Sequence, residues 1–342
     1  MKHTLIALSL LALPAAAQTD WLNTQVEFRS DYTCSALDGD VTSKGFKGQY
    51  LNLKVNGKIN EHFSYNYRQR FSKDVVRDGG YLNGTDYLYL CYRPNDRWNI
   101  TAGKQFVWIG GYEYDKAPID VYQYSEYCQF IECYGYGVSV DYNITPHDNL
   151  LVQAVQSAFA GHKTDRYSYN AKWTGQHRWF TGLYSIGFHE YNRGTGKGYL
   201  NCIGLGNRFD MGKAFILADF TNRYDMNDGG KFLGDFTAQA EIHYQPVKEL
   251  NIFGHYCHTH NEDNIGDPTV MPGTSLNTLG AGIEYFPMKG DSDVRLHAAY
   301  FYNFGDNGNP GGVILDDQQY LTVGLTFRIN VKKLRDRFST SH

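Results

Sequence analysis

From Leu22 onward the chain repeats one unit, some ten residues of alternating character followed by a turn. Alternation with period two puts successive side chains on opposite faces of a strand. Kept up over most of a chain this long, it constrains the fold more than any other feature. It predicts strands at 22–32, 46–57, 62–71, 85–93, 97–105, 135–143, 148–157 and 167–174, then at 178–190, 198–209, 213–224, 233–245, 248–260, 275–286, 293–304 and 318–329. Their number, sixteen, is even. The connections alternate as well. Short ones are Pro94-Asn95-Asp96, 144–147, 175–177, 210–212, 246–247 and 287–292; long ones are 33–45, 72–84, 106–134, 158–166, 191–197, 225–232, 261–274 and 305–317. Each long connection follows an odd-numbered strand. A soluble sandwich has no cause for that parity, whereas an up-and-down transmembrane barrel has one in its short turns and long external loops. The expectation is an all-β, antiparallel transmembrane barrel with both termini in the periplasm.

Face by face the reading agrees. In 62–71, Phe63, Tyr65, Tyr67 and Phe71 oppose Ser64, Asn66, Arg68 and Arg70. In 135–143, Tyr136, Val138, Val140 and Tyr142 oppose Gly135, Gly137, Ser139 and Asp141. In 233–245, Phe236, Ala238, Ala240, Ile242 and Tyr244 oppose Thr237, Gln239, Glu241 and His243, and 318–329 sets Leu321, Val323, Leu325 and Phe327 against Thr322, Gly324, Thr326 and Arg328. The apolar face should meet lipid. Sixteen strands close a barrel too wide for side chains alone to fill, so the polar face should line water and its glycines should keep the lumen open.

Composition narrows the class further. With 28 Tyr, 20 Phe and 5 Trp, the chain has more aromatics than its negative mean hydropathy would suggest; barrels display such rings at the headgroups. No apolar run reaches the roughly 18–20 residues of a membrane helix. The start, Lys2-His3, then apolar Thr4 to Pro14, then Ala15-Ala16-Ala17, has the layout of a signal peptide, 1–17, with maturation near Gln18. The barrel is then 18–330, and 331–342 is a basic periplasmic extension. A net charge of −4 gives no reason to expect nucleic acid as a partner. The expected surroundings are the outer-membrane lipid and lipopolysaccharide of a Gram-negative cell, with a homotrimer as one form.

Two features bear on function. The connection 106–134 is the longest, and a loop of that size is usually functional. It is aromatic and acidic: Trp108, Tyr112, Glu113, Asp115, Asp120, Glu126 and Glu132 accompany a single cation, Lys116. Its apolar content points to a loop folded into the lumen as a constriction, rather than an outer lid. The inward faces read as basic on balance, with Arg29, Arg68, Arg70, Arg93, Lys172, Arg208, Arg295 and Arg328 against Glu27, Glu241 and Glu284. Fixed cations in a low-dielectric wall would select anions; cross-strand pairing with the acids would stiffen the wall instead.

Enzymatic and metal motifs are weak. Strand alternation splits His255 and Cys257 from His258 and His260, leaving two ligands per face. Asp225-Met226-Asn227-Asp228-Gly229 opens like a calcium loop but has Phe236 where the twelfth-position Glu belongs. Gly194 to Gly198 lacks the lysine-hydroxyl ending of a phosphate loop, and no nucleophile elbow stands out. We expect no cofactor, no metal and no catalysis. Of the six cysteines, Cys91, Cys202 and Cys257 fall in strands as packing residues, while Cys34, Cys128 and Cys133 fall in loops where a disulfide is an option.

The chain resembles the phosphate-selective porin family in its Bacteroides-like form. The resemblance rests on Ala102-Gly103-Lys104-Gln105 leading into Gly110-Gly111-Tyr112-Glu113-Tyr114, and on the ending Tyr320-Leu321-Thr322-Val323-Gly324-Leu325-Thr326-Phe327-Arg328. It implies an outer-membrane pore passing small hydrophilic solutes, anions among them, with arginines and lysines funnelling solute past a folded loop. The acidic 106–134 connection departs from that pattern. Other readings are a receptor or assembly barrel that binds a partner protein, and a barrel-embedded lipid hydrolase.

Overall fold

A computed structural model describes residues 21–73, 81–161, 165–194, 196–227, 231–288 and 293–331. The signal segment 1–17, and all of the basic extension after Val331, lie outside the described residues. Sixteen strands run β1 Asn23–Leu37, β2 Asp40–Lys58, β3 Phe63–Arg70, β4 Thr85–Tyr92, β5 Trp98–Phe106, β6 Tyr134–Asn143, β7 Asp148–Gln156 and β8 Tyr167–His177. They continue as β9 Phe180–Arg193, β10 Gly196–Asp210, β11 Ala214–Asp225, β12 Asp235–Val247, β13 Leu250–Asn261, β14 Thr274–Tyr285, β15 Val294–Asp306 and β16 Gln318–Asn330. Each pairs antiparallel with its sequence neighbours, and β1 meets β16 in register from Gln25↔Asn330 to Leu37↔Gln318, so the sheet closes on itself. Closure removes the free edges that an open sheet would expose. At the seam, Phe28 lies opposite Phe327 with ring centroids 5.2 Å apart.

The period-two pattern decides which side chains face out. Val138, Val152, Ile186, Ile242, Leu279 and Val323 are exposed around the barrel, whereas their strand neighbours Ser139, Gln153, Ser185, Glu241, Thr278 and Thr322 are buried. An apolar outside over a polar inside suits a wall between lipid and a polar interior.

Two long connections are absent. β1 runs on to Leu37 and β2 starts at Asp40, so the expected loop 33–45 is a hairpin turned at Asp38 (φ 51°) and Gly39 (φ 84°). Asp-Gly in left-handed conformation is the pair that a two-residue hairpin turn demands; the polarity of 40–45 had disguised an extended, water-facing strand. Likewise β9 reaches Arg193 and β10 begins at Gly196, which removes most of the loop 191–197.

Candidate functional site

The interior is fuller than a wide barrel would suggest, because residues 107–133 cross it. This inward segment carries three short helical pieces: α1 at Tyr112–Asp115, a 3-10 turn at Pro118–Asp120, and α2 at Glu126–Phe130. Its first anchor is glycine against glycine. A Cβ on Gly204 of β10 would lie 2.6 Å from the Gly110 Cα, and one on Gly206 would lie 3.1 Å from the Gly111 Cα. Backbone therefore lies on backbone, which only residues without a side chain allow. The inward glycines of β10 seat the segment instead of keeping the lumen open, contrary to expectation. Past Gly111 (φ 103°), the Glu113 amide donates to Asp219 Oδ2 at 2.8 Å and the Tyr112 hydroxyl to the Thr181 carbonyl at 3.1 Å.

Charge holds the rest. Lys116 pairs with Glu241, which also takes His243 at 3.0 Å and His255 at 3.2 Å. Asp120 pairs with Arg295 at 3.0 Å and Arg328 at 2.7 Å. Burial works to raise the Asp120 carboxyl, but Arg295 and Arg328 outweigh it and hold it below its ordinary value. Arg29 donates to the Val121 carbonyl at 2.6 Å. Tyr122 stacks on Phe253 at 5.6 Å and donates to Glu284 at 2.6 Å, and Gln123 donates to Asn303 at 2.6 Å. Glu113 folds back to accept from the Ser125 amide at 2.6 Å and hydroxyl at 2.8 Å. Glu126 is wholly buried against the loop after β15, taking the Ile314 amide at 3.4 Å, and burial pushes its carboxyl above the ordinary value. Trp108 receives Lys172 Nζ 3.6 Å from its ring centre, and Asp115 lies 3.9 Å from the same amine.

The expected inward cations are therefore mostly neutralised. Arg29 pairs with Asp31 at 2.7 Å, Arg68 and Arg70 share Asp86 at 2.9 and 3.1 Å, Arg208 takes Asp210 at 2.7 Å, Arg295 also takes Glu284 at 3.1 Å, and Arg328 also takes Glu27 at 3.2 Å. Arg93 is exposed in the turn after β4. The acids that balance this wall, Asp31 and Asp86 above all, did not enter the sequence reading. Arg223 was also missed: fully buried, it holds Asp235 and Asp267 at 2.6 Å each and lies 4.6 Å from the Tyr127 ring centre, tying the loop after β13 to α2. Its place on the face of Asp219 and Thr221 was a usable signal.

All six cysteines are free, so no disulfide joins Cys34, Cys128 and Cys133. Cys34 lies within β1, and burial pushes the Cys133 thiol up to about 11 and Cys128 well above its usual range. His255 points inward to Glu241, while His258 outside bonds Asn277 at 3.0 Å. Among the described residues no His, Cys, Asp or Glu group has the geometry to hold a metal ion.

Space remains beside the inward segment. Between the inward segment and β2–β5 lies a cavity of about 870 Å³, lined by Tyr50, Arg70, Lys73, Lys104, Lys116 and Tyr124 among others, with Glu132 as its one acid among the described residues. Lys73 and Lys104 donate to the Asn83 and Leu82 carbonyls at 3.4 and 2.9 Å and have no carboxylate partner among the described residues. In the sequence Lys104 stood out only within the Ala102–Gln105 motif that carries the resemblance, and Lys73 not at all. Lys73 follows β3 in what read as an external loop, and Tyr50, opposite Arg29 on the inward face of Asn52, was not read from the sequence.

The family model for phosphate-selective porins O and P matches residues 22–184. No curated protein matches the chain in sequence. Solved structures that resemble it include the anion-selective porin from Comamonas acidovorans (TM-score 0.65, 11% identity, covering 90% of this chain and 99% of that one) and OmpT of Vibrio cholerae (0.63, 13%, 90% and 97%). OmpF of Salmonella typhi, in complex with daunomycin, is another (0.60, 13%, 90% and 97%). At such identities the structural likeness speaks for the fold. With its closed wall, inward segment and family match together, the chain has the sixteen-stranded barrel fold of the outer-membrane porins and is similar over residues 22–184 to the phosphate-selective porins O and P.

Proposed function

We propose that the barrel lets small hydrophilic solutes diffuse across the outer membrane, anions in preference to cations, along the gap between β2–β5 and the inward segment. One observation carries this reading: among the described residues the lining of the 870 Å³ cavity has four cationic side chains and one acidic one, and two of those cations lack a carboxylate partner there. Fixed positive charge between low-dielectric walls raises the local anion concentration. In this reading the long connections lie outside and both termini in the periplasm. A trimeric form is recorded for OmpT of Vibrio cholerae, and we extend that assembly to this chain as part of the proposal.

Conductance of the purified protein in a planar bilayer tests it. Steady conductance should appear, with a reversal potential of anionic sign in a salt gradient. That preference should weaken as the Debye length falls from about 10 Å at 0.1 M to about 3 Å at 1 M. A barrel that conducts nothing would contradict the proposal and favour a receptor or assembly role.

A further inference from the structure

The cavity is too aromatic for a path built to pass simple inorganic anions. Tyr50, Phe106, Tyr114, Tyr124 and Tyr134 all contribute to its lining. Two of these phenols are already engaged: Tyr134 accepts from Arg68, and Tyr114 donates to the Cys133 carbonyl at 3.4 Å. Tyr50 and Tyr124 differ, since neither hydroxyl has a hydrogen-bond partner among the described residues. They also come from opposite sides of the gap, Tyr50 from the wall strand β2 and Tyr124 from the inward segment just before α2. Arg70 lies over the Tyr50 ring, 5.5 Å from its centre, while holding Asp86 through Nε and Nη2 at 3.1 Å.

A phosphate or chloride ion gains from the cations and from the two hydroxyl donors. It gains nothing from ring faces, and close to them it loses water without replacement. An anion that also carries a flat ring uses both parts of the lining. Its charged head can pass from Lys73 and Lys104 at the β3 and β5 ends to Arg70, and its ring can lie against Tyr50 and Tyr124, where offset and edge contacts between aromatic rings are favourable.

We propose that Tyr50 and Tyr124 form a paired ring site that makes aromatic monocarboxylates the preferred solute class of this channel. The inference rests on the anion path proposed above.

The test uses the full chain in planar bilayers and measures reversal potentials for sodium benzoate, acetate and cyclohexanecarboxylate, each against sodium chloride. Benzoate diffuses more slowly than acetate in water, so a featureless pore passes it less readily. The wild type should reverse that order and favour benzoate over acetate by several-fold. Tyr50→Leu and Tyr124→Leu should each lower the benzoate-to-acetate ratio several-fold, a ratio in which the loss of a hydroxyl donor shared by both anions cancels. Tyr50→Phe and Tyr124→Phe, which keep the ring and the fold, should retain most of the preference. A wild type that conducts chloride yet passes benzoate no faster than acetate overturns the ring site and leaves the anion path standing. Cyclohexanecarboxylate passing as readily as benzoate would replace aromatic recognition by a merely apolar slot and also overturn it. Absence of any conductance overturns the path, and the ring site with it.

Discussion

The two halves of the interior are built from the same strand pattern and end in opposite states. Toward β9–β16 and β1, the inward segment is clasped: Gly110 and Gly111 lie on Gly204 and Gly206, Asp120 takes Arg295 and Arg328, Lys116 takes Glu241, and Tyr122 packs on Phe253. Toward β2–β5 the same segment stands off, leaving a cavity in which Lys73 and Lys104 bond backbone carbonyls and have no carboxylate partner among the described residues. The difference lies in where the acids are. Glu241, Glu284 and Asp219 project from the far wall and engage the segment directly, whereas Asp86 on the near wall is taken up by Arg68 and Arg70. A count of inward cations therefore says little about selectivity. What matters is which of them lack a carboxylate beside them.

Removing the clasped segment should have the largest effect. Deleting 112–128 should raise single-channel conductance several-fold, since it empties both halves at once; unchanged conductance would mean that current does not pass the segment. Asp120→Asn comes next. It takes one of two carboxylates from each of Arg295 and Arg328, which keep Glu284 and Glu27, and Asp120 is partly accessible, so the cost should fall below the roughly 3–5 kcal/mol of a fully broken buried pair. Denaturant unfolding in detergent would read the loss, and a matching loss from Lys73→Gln would erase the distinction between the halves.

Gly204→Val should be milder, roughly 1–3 kcal/mol of overpacking, because its new atoms meet the Gly110 backbone. Increased current noise with the barrel still folded is the expected signature. Wild-type noise in that variant would place the segment's anchor elsewhere. The smallest effect concerns pH. The Asp120 carboxyl is held below its ordinary 3.8, so its contribution is complete above that value and is lost only as pH falls through the depressed one. Conductance should therefore be the same at pH 7 and pH 5 as far as this clasp is concerned. Loosening between those two values would contradict the assignment of Asp120.

Most of the wall was legible because a two-residue period repeated sixteen times leaves little freedom. β7 was expected at 148–157 and runs Asp148–Gln156; β16 was expected at 318–329 and runs Gln318–Asn330. The first hairpin was misread because Thr42, Ser43 and Lys44 face water where β2 extends past β3, and no apolar face marks the pattern there. The site was harder. Alternation says that Arg68 and Arg70 point inward, but not that Asp86, some sixteen residues later in sequence, lies between them. Nor does it say which side of the lumen a crossing segment will favour, since that depends on glycine contacts such as Gly110 with Gly204, far apart in sequence. The role of Lys73 and Lys104 was hidden for the same reason. It comes from their lack of a carboxylate partner among the described residues.

The most direct test reverses charge in the open half alone. Lys73→Glu with Lys104→Glu changes the fixed charge of the cavity lining by four units while leaving the Arg68–Asp86–Arg70 cluster and the clasp intact. In a tenfold salt gradient at low ionic strength, where screening is weakest, the account predicts a reversal potential that moves from anion toward cation preference, by more than any charge change made at Arg208 near the opposite wall. An unchanged reversal potential in a conducting double variant would contradict the claim that solutes pass along β2–β5.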